Sequence, residues 1–197
     1  MNQYRPHTFV QAATTARPVR CLIIPGLNGS GPDHWQTRWQ QCRDDCVRVD
    51  LGDWESPTRA RWVTAIADAV TEADAPVVLV GHSLGCLAII WWAARARSAE
   101  RTKVLGAMLV APPDVGQQGC DLRLLRFAPL PPGPLPFPTL VVASADDRYA
   151  SLTRSRKLAQ DLGATFADIG RAGHINALSG LGDWQEGQAL LASLLAR

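Results

Sequence analysis

The sequence lacks an apolar run long enough to span a bilayer, because its longest apolar stretches are short and interrupted by charged residues or proline. It also lacks a long run of charge of one sign, and its 20 basic and 18 acidic residues give a net charge of only +2. These absences argue against a membrane or a nucleic acid as a partner. Residues 1–20 lack the apolar core of a signal peptide, so we expect a cytoplasmic protein.

Metal and nucleotide signatures are missing as well. The five cysteines form no C-x-x-C pair, and Cys42 and Cys46 have no matching His or Cys pair downstream, so we expect no metal. An odd number of cysteines is typical of reduced thiols in the cytoplasm. The glycine-rich residues 26–31 match neither G-x-G-x-x-G nor G-x-x-x-x-G-K-[ST]. We therefore expect no cofactor.

Apolar strand-like segments alternate with helical spacing along the chain. Strands are predicted over 19–24, 47–51, 76–81, 104–110, 139–144 and 164–169, and helices from near 32, over 59–72, 84–97 and 152–162, and from about 183 to 195. The pattern predicts one α/β domain over 19–197, with a mostly parallel, doubly wound sheet of about six strands, after a polar lead-in over 1–18. Residues 128–138 contain six prolines, so we interpret them as a surface loop.

The most informative motif is Gly-His-Ser-Leu-Gly at residues 81–85, which follows a predicted strand and precedes a predicted helix. Glycines on both sides permit a strained turn and a close neighbouring chain, and the turn lifts the Ser83 hydroxyl clear of the sheet. The motif predicts a nucleophilic serine. The alternative is a tight turn that carries a serine by chance.

A serine nucleophile needs a base to take its proton and a carboxylate to orient that base. In sheets of this kind the acid and then the histidine follow the serine in chain order. His174 follows the last predicted strand and is the predicted base. His7 lies in the polar lead-in, His34 precedes the serine, and His82 is adjacent to it, so these three fit less well.

Three aspartates are candidates for the acid. Asp147 opens the turn after the strand 139–144 and is preferred, with Asp146 as a helper or a surface group. Asp114 follows the preceding strand and is the second choice. Each of them could instead be an ordinary loop or helix-cap residue.

The developing oxyanion needs two backbone N–H donors. The Leu84 amide, at the start of the helix after the serine, is one candidate, and the amide of Leu27 or Asn28 after the first strand is the other. Seven tryptophans are present, most of which we expect in the core. Trp35, Trp54 and Asn176 are candidate pocket residues.

Four segments together carry a family resemblance: residues 25–36, 81–86, 143–147 and 173–176. With them the chain resembles α/β-hydrolases, and more narrowly the small retinoblastoma-binding-protein-type serine hydrolases and their bacterial relatives. The resemblance implies a capless hydrolase with a triad matched here by Ser83, Asp147 and His174. The family's usual proline after the acid is Arg148 here. Binding to retinoblastoma protein would need the motif L-x-C-x-E, and the nearest match, Leu-Gly-Cys-Leu-Ala at residues 84–88, lacks the glutamate. Retinoblastoma protein is therefore not an expected partner.

The sequence thus predicts a carboxylesterase-like serine hydrolase that acts on a small acyl substrate, an ester or an amide or thioester, through an acyl-enzyme. Peptidase activity is a related option on the same machinery. No lid-like helical insertion is predicted, so the site should be open and suited to small acyl groups. The alternative is a non-catalytic binding or scaffold protein on a hydrolase fold, because a fold alone does not prove chemistry.

Overall fold

The computed structural model describes residues 18–196, so the predicted lead-in over 1–18 lies outside the described residues except for its last position. The strands are β1 (Arg20–Ile24), β2 (Cys46–Arg48), β3 (Val77–His82), β4 (Val104–Val110), β5 (Thr139–Ala143) and β6 (Thr165–Asp168). The helices are α1 (Trp35–Cys42), α2 (Arg59–Glu72), α3 (Leu84–Ala93), α4 (Ser98–Arg101), α5 (Leu122–Leu125), α6 (Leu152–Asp161) and α7 (Gln185–Leu195), with a 3₁₀ helix at Ala177–Ser179.

All six strands run parallel in one sheet, in the order β2-β1-β3-β4-β5-β6. The predicted parallel, doubly wound α/β sheet of about six strands is therefore confirmed. The strand order changes direction at β1, which lies between β2 and β3. In open sheets a ligand crevice forms at such a switch point, beyond the carboxyl ends of the strands. The loops after β1 and β3 border this crevice.

The strand side chains alternate between two apolar cores, one on each face of the sheet. In β1, Leu22 and Ile24 belong to one core, and Cys21 and Ile23 belong to the other. Helices α2, α3 and α6 contribute to the first core, whereas α1 and α7 contribute to the second. Because both faces are covered, the strands read as continuous apolar runs in the sequence.

Two elements end earlier than predicted, by four residues in α3 and by three in β2. The helix predicted over 84–97 ends at Ala93, because the Arg97 amide donates a 2.9 Å hydrogen bond to the Glu100 carboxylate and starts the separate helix α4. The strand predicted over 47–51 is the shorter β2. The Val49 amide still donates to the Ile23 carbonyl at 2.9 Å, but the chain then leaves the sheet.

The long segment between β4 and β5 contains only the short helix α5. Residues 128–138 form neither helix nor strand, as their proline content predicts. The carboxyl ends of the strands consequently have no helical cap domain within the described part of the chain. From residue 18 to residue 196, no helix combines the length and the apolarity that crossing a bilayer requires.

Candidate active site

Ser83 occupies the turn between β3 and α3. Its backbone lies at φ 51° and ψ −123°, a conformation that non-glycine residues adopt only under strain. The turn places the serine at the carboxyl edge of the sheet, where the hydroxyl is accessible to groups on neighbouring loops. This is the geometry of a nucleophile elbow.

Glycine is required beside this turn because other backbone segments approach it closely. A Cβ on Gly85 would overlap the Ile24 carbonyl oxygen and would lie 2.6 Å from that of Pro25. A Cβ on Gly26 would lie 2.8 Å from the Cβ of Ser83. The end of β1 and the serine turn therefore pack directly against each other.

His174 lies between Ser83 and Asp147 and contacts both. Its Nε2 atom is 2.9 Å from Ser83 Oγ, and its Nδ1 atom is 2.9 Å from Asp147 Oδ2 and 3.0 Å from Asp147 Oδ1. The side chains of His174 and Asp147 are only 9% and 3% exposed, so water competes little for these bonds. The structure thus brings together the three residues that the sequence singled out for the triad.

The neighbours of Asp147 hold its carboxylate toward His174. Its Oδ1 atom accepts a 2.9 Å hydrogen bond from the amide of Tyr149. The ring of Tyr149 packs against the imidazole of His174, with 4.4 Å between the ring centroids. Arg148, which stands where the resembled family has proline, lies over the Tyr149 ring and does not displace Asp147.

Asp146 does not contact the His174 ring, and it supports the preceding loop instead. Its Oδ1 atom accepts hydrogen bonds from the Gly173 amide at 2.8 Å and from the Ser144 hydroxyl at 2.9 Å. The pKa of Asp146 is lowered mainly by the hydrogen bond from the Gly173 amide, and next by the one from the Ser144 hydroxyl. Its position agrees with a helper role rather than with that of the acid.

Asp114, the second-choice acid, pairs with a different element. Its carboxylate accepts two hydrogen bonds from Arg154 at 2.8 and 3.0 Å and one from the Gly116 amide at 2.9 Å. The bond from Arg154 is the main reason that the pKa of Asp114 is lowered. Asp147 is therefore the aspartate that reaches the imidazole.

Two further histidines lie beside the site, and both are buried. The Nδ1 atom of His34 accepts the Gln36 amide at 3.1 Å, and burial lowers the pKa of His34 to about 4. The Nε2 atom of His82 lies 2.9 Å from the carbonyl oxygen of His174, and burial holds the pKa of His82 well below its ordinary value. Both rings are consequently neutral near pH 7. His7 lies outside the described residues.

The predicted oxyanion donors differ in whether their N–H groups already donate to another group in the protein. The amide of Asn28 donates to the Trp54 carbonyl at 2.8 Å, so that N–H is already engaged. Among the residues that the structure describes, the Leu27 amide donates to no backbone carbonyl. The Leu84 amide opens helix α3 directly after Ser83, and it would lie 3.4 Å from a Cβ placed on Gly26.

A cavity of about 310 Å³ opens above Ser83 and His174. Asn176, one of the candidate pocket residues, lines this cavity, but Trp35 and Trp54 do not. Trp35 is only 1% exposed, and its indole N–H donates to the Ile175 carbonyl at 2.8 Å. Trp54 packs against Trp62 with 5.8 Å between ring centroids. The prediction that these tryptophans line the pocket was wrong, because Trp35 is buried in the core and the half-buried Trp54 packs against the core beside Trp62.

Sequence reasoning missed one wall of the cavity. Asp121, Arg123 and Leu124 line it and belong to the segment around α5, and Tyr149 and Leu178 line it from two other loops. The sequence signal for this helix was Asp121 as a helix-capping residue ahead of the apolar pair at 124–125. In the structure the Asp121 carboxylate does cap α5 and accepts the Arg123 amide at 2.9 Å. A four-residue helix is too short for periodicity to reveal.

A larger cavity, of about 760 Å³, lies between the proline-rich loop and α6. Its walls include Pro113, Pro131 and Leu158, but neither Ser83 nor His174. Size alone therefore does not identify the reactive site, and the smaller cavity holds the nucleophile. Within residues 18–196, no three or more His, Cys, Asp or Glu side chains cluster as a metal site would require.

A parallel doubly wound sheet with a serine on a strained strand-to-helix turn, followed in the chain by an aspartate and a histidine, defines an α/β-hydrolase. The chain belongs to the serine hydrolase family, because the model of that family matches residues 21–193. It is accordingly a hydrolase. No curated protein matches it.

Solved structures resemble the chain over most of its length. A YdeN-like hydrolase from Pectobacterium atrosepticum is 33% identical, with 90% of this chain and 91% of that chain covered and a TM-score of 0.79. The ydeN product of B. subtilis is 20% identical over 90% and 99% of the two chains, with a TM-score of 0.72. The type II thioesterase BorB, from the borrelidin biosynthetic cluster, is 19% identical over 99% and 95%, with a TM-score of 0.62. The last two likenesses concern the fold alone.

Proposed function

We propose that the protein cleaves small esters by acyl transfer to Ser83, with His174 as the base and Asp147 as the acid. The observation that carries the proposal is the continuous chain of hydrogen bonds among these side chains. His174 Nε2 lies 2.9 Å from Ser83 Oγ, and His174 Nδ1 lies 2.9 Å from Asp147 Oδ2. Each distance is within the range needed for proton transfer or for orientation of the ring.

The reaction follows from the roles of these groups. Ser83 Oγ attacks the carbonyl carbon while His174 Nε2 takes the hydroxyl proton, and the same imidazole then returns that proton to the departing alcohol. Water attacks the resulting acyl-serine, His174 takes its proton, and the acid product leaves as Ser83 is protonated again. Asp147 keeps the His174 proton on Nδ1 and stabilises the imidazolium throughout.

Backbone amides supply the oxyanion site in this proposal. The Leu84 amide is favoured as one donor because it opens helix α3 beside the nucleophile. The Leu27 amide is favoured over that of Asn28, since the latter already donates to Trp54. Both sites belong to segments that pack closely at Gly26, which limits relative movement of the two donors.

The size and lining of the cavity indicate small substrates. A volume of about 310 Å³ is at the lower end for small-molecule sites. Polar groups such as Asn28, Arg123 and Asn176 contribute to its walls. Esters are the primary expectation. Thioesters are a second class to test, because the structurally similar BorB is a thioesterase.

The test is covalent labelling and ester hydrolysis by the purified protein. We expect a fluorophosphonate probe to label the wild type and p-nitrophenyl acetate to be hydrolysed, and we expect Ser83→Ala to abolish both. Ser151→Ala is a matched control, because Ser151 caps α6 at a different element and should keep full labelling. Labelling that persists in Ser83→Ala would refute the nucleophile. A folded wild type inert toward probes, esters and thioesters would favour a binding or scaffold role.

A further inference from the structure

Two consecutive carbonyl groups on the His174 loop are bound by ring N–H groups from elsewhere in the fold. The carbonyl oxygen of His174 lies 2.9 Å from Nε2 of His82, and that of Ile175 lies 2.8 Å from Nε1 of Trp35. A carbonyl oxygen only accepts hydrogen bonds, so His82 carries its proton on Nε2. His82 immediately precedes the serine, and Trp35 is the first residue of α1.

The loop that these donors hold has an unfavourable backbone conformation. Ile175 lies at φ 48°, in the left-handed region that a β-branched residue rarely adopts, and Gly173 lies at φ 55°. Such a conformation persists only where surrounding structure imposes it. The Ile175 side chain is fully buried, which fixes the residue from one side, and the two ring N–H donors fix its peptide groups from another.

Burial makes both hydrogen bonds hard to replace. Trp35 is 1% exposed and His82 is 5% exposed, so water has little access to either donor. Trp35 also packs among aromatic rings, with ring centroids 4.8 Å from both Trp39 and Trp184. Removing either donor would leave a buried carbonyl unpaired, which the loop could relieve by moving away.

We propose that Trp35 and His82 are positioning residues that clamp the His174 loop, so that one imidazole reaches Ser83 and Asp147 at the same time. This inference rests on the proposed function. In this proposal Trp35 acts by holding the His174 loop and not by lining the pocket. It also ties the base to the nucleophile turn, because His82 and Ser83 are adjacent.

Trp35→Phe is the direct test, since it removes the N–H donor and keeps an aromatic ring. Trp39→Phe is a matched control on the same helix: Trp39 is 0% exposed, and its indole N–H also donates to a carbonyl at 2.8 Å, that of Asp183. Trp35→Phe should lower kcat for p-nitrophenyl acetate about tenfold, with KM changed less than about twofold, because Trp35 does not touch the cavity. Trp39→Phe should lower Tm comparably while kcat stays within about twofold.

A second pair of variants decides the matter if Trp35→Phe does not fold. His82→Gln keeps an N–H donor near the position of Nε2, whereas His82→Met has similar length and no donor. We expect kcat to be about tenfold higher in the Gln variant than in the Met variant. Equal kcat values within this pair, or equal losses of kcat in Trp35→Phe and Trp39→Phe, would overturn the clamp.

Ser83→Ala separates failure of the clamp from failure of the proposed function. If the wild type is active and Ser83→Ala is not, the comparisons above test the clamp alone. If Ser83→Ala keeps wild-type activity, or the wild type has none, then the triad is refuted and the clamp is refuted with it.

Discussion

Two adjacent aspartates follow β5, and they accept hydrogen bonds from different partners. Asp147 binds the imidazole of His174, whereas Asp146 binds the Gly173 amide and the Ser144 hydroxyl. The first contact fixes the tautomer and orientation of the proposed base, and the second fixes the loop that leads to it. The sequence favoured Asp147, but only the contacts of each carboxylate distinguish the two neighbours.

Asp147→Asn should reduce kcat for p-nitrophenyl acetate by about three to four orders of magnitude, because an amide in place of the carboxylate favours the wrong tautomer of His174. Asp146→Asn is the matched control, since its remaining side-chain oxygen can still accept from Gly173. We expect it to lose less than about tenfold in kcat and to show a lower Tm. Steady-state kinetics and thermal unfolding of both variants measure this, and a larger kcat loss in Asp146→Asn would reverse the assignment.

At the scale of elements, the first turn of α1 connects several parts of the site. The fully buried Gln36 donates to the Val80 carbonyl at 3.1 Å and accepts the Ser30 hydroxyl at 2.7 Å. It thereby links the glycine-rich loop to the strand that leads to the serine. Trp35 reaches the His174 loop, and His34 caps the helix. One helix end thus contacts both the loop after β1 and the loop after β6.

The cap of α1 makes stability depend on pH, because the Nδ1 atom of His34 accepts the Gln36 amide only when it is unprotonated. The pKa of His34 is lowered from 6.5 to about 4, mainly by burial and to a smaller extent by the charges of Arg48 and His174. The unfolded chain therefore binds this proton at a higher pH than the folded chain does. The resulting stability is fully present above about pH 7 and is lost as the pH falls from about 6.5 toward 4.

His34→Asn should flatten this dependence, because the Asn side-chain oxygen caps a helix and does not titrate. Between pH 7 and pH 4 we expect the free energy of unfolding to fall by about 2–3 kcal/mol less in the variant than in the wild type. Urea unfolding at intervals of pH measures the difference. Burial, the main cause of the lowered pKa of His82, is common to both proteins. Parallel curves would contradict the assignment to His34.

The strands and the longer helices were predictable from the sequence, whereas the four-residue helices α4 and α5 were not. The helix predicted over 59–72 is α2 with the same bounds, and the strand predicted over 104–110 is β4. Both have enough residues for burial to impose a readable pattern. Helix α5 has four residues and depends on contacts distant in sequence, such as the Arg123 guanidinium on the Asn28 side chain at 3.2 Å. No local pattern records such a contact.

At the scale of the whole molecule, topology explains why the site residues were predictable. Parallel strands deliver every following loop to the same edge of the sheet, so residues after β3, β5 and β6 meet there. That rule predicts that Ser83, Asp147 and His174 lie together, and the hydrogen bonds of His174 to the other two agree with it. It does not determine which way a side chain points within a loop or a helix. Trp35 accordingly lies at the predicted edge but faces the interior.

The absence of a helical cap between β4 and β5 leads to a prediction about acyl chain length. The cavity of about 310 Å³ has to hold the acyl group and the leaving group together, and Leu178 at its rim is 96% exposed. Each methylene buried in an apolar tunnel would add about 0.8 kcal/mol of binding, or about fourfold in kcat/KM. A longer chain here extends into water and gains no such term.

We therefore expect kcat/KM for p-nitrophenyl esters to rise from acetate to about butyrate and then to level off through the eight- and twelve-carbon esters. The measurement is an initial-rate series below the solubility limit of each ester, with Ser83→Ala as the blank for uncatalysed hydrolysis. A matching series of acyl thioesters shows whether the plateau belongs to the acyl pocket, because the leaving group then differs while the acyl chain does not. A steady rise to twelve carbons would instead require a long apolar channel from Ser83, and the open rim at Leu178 provides none.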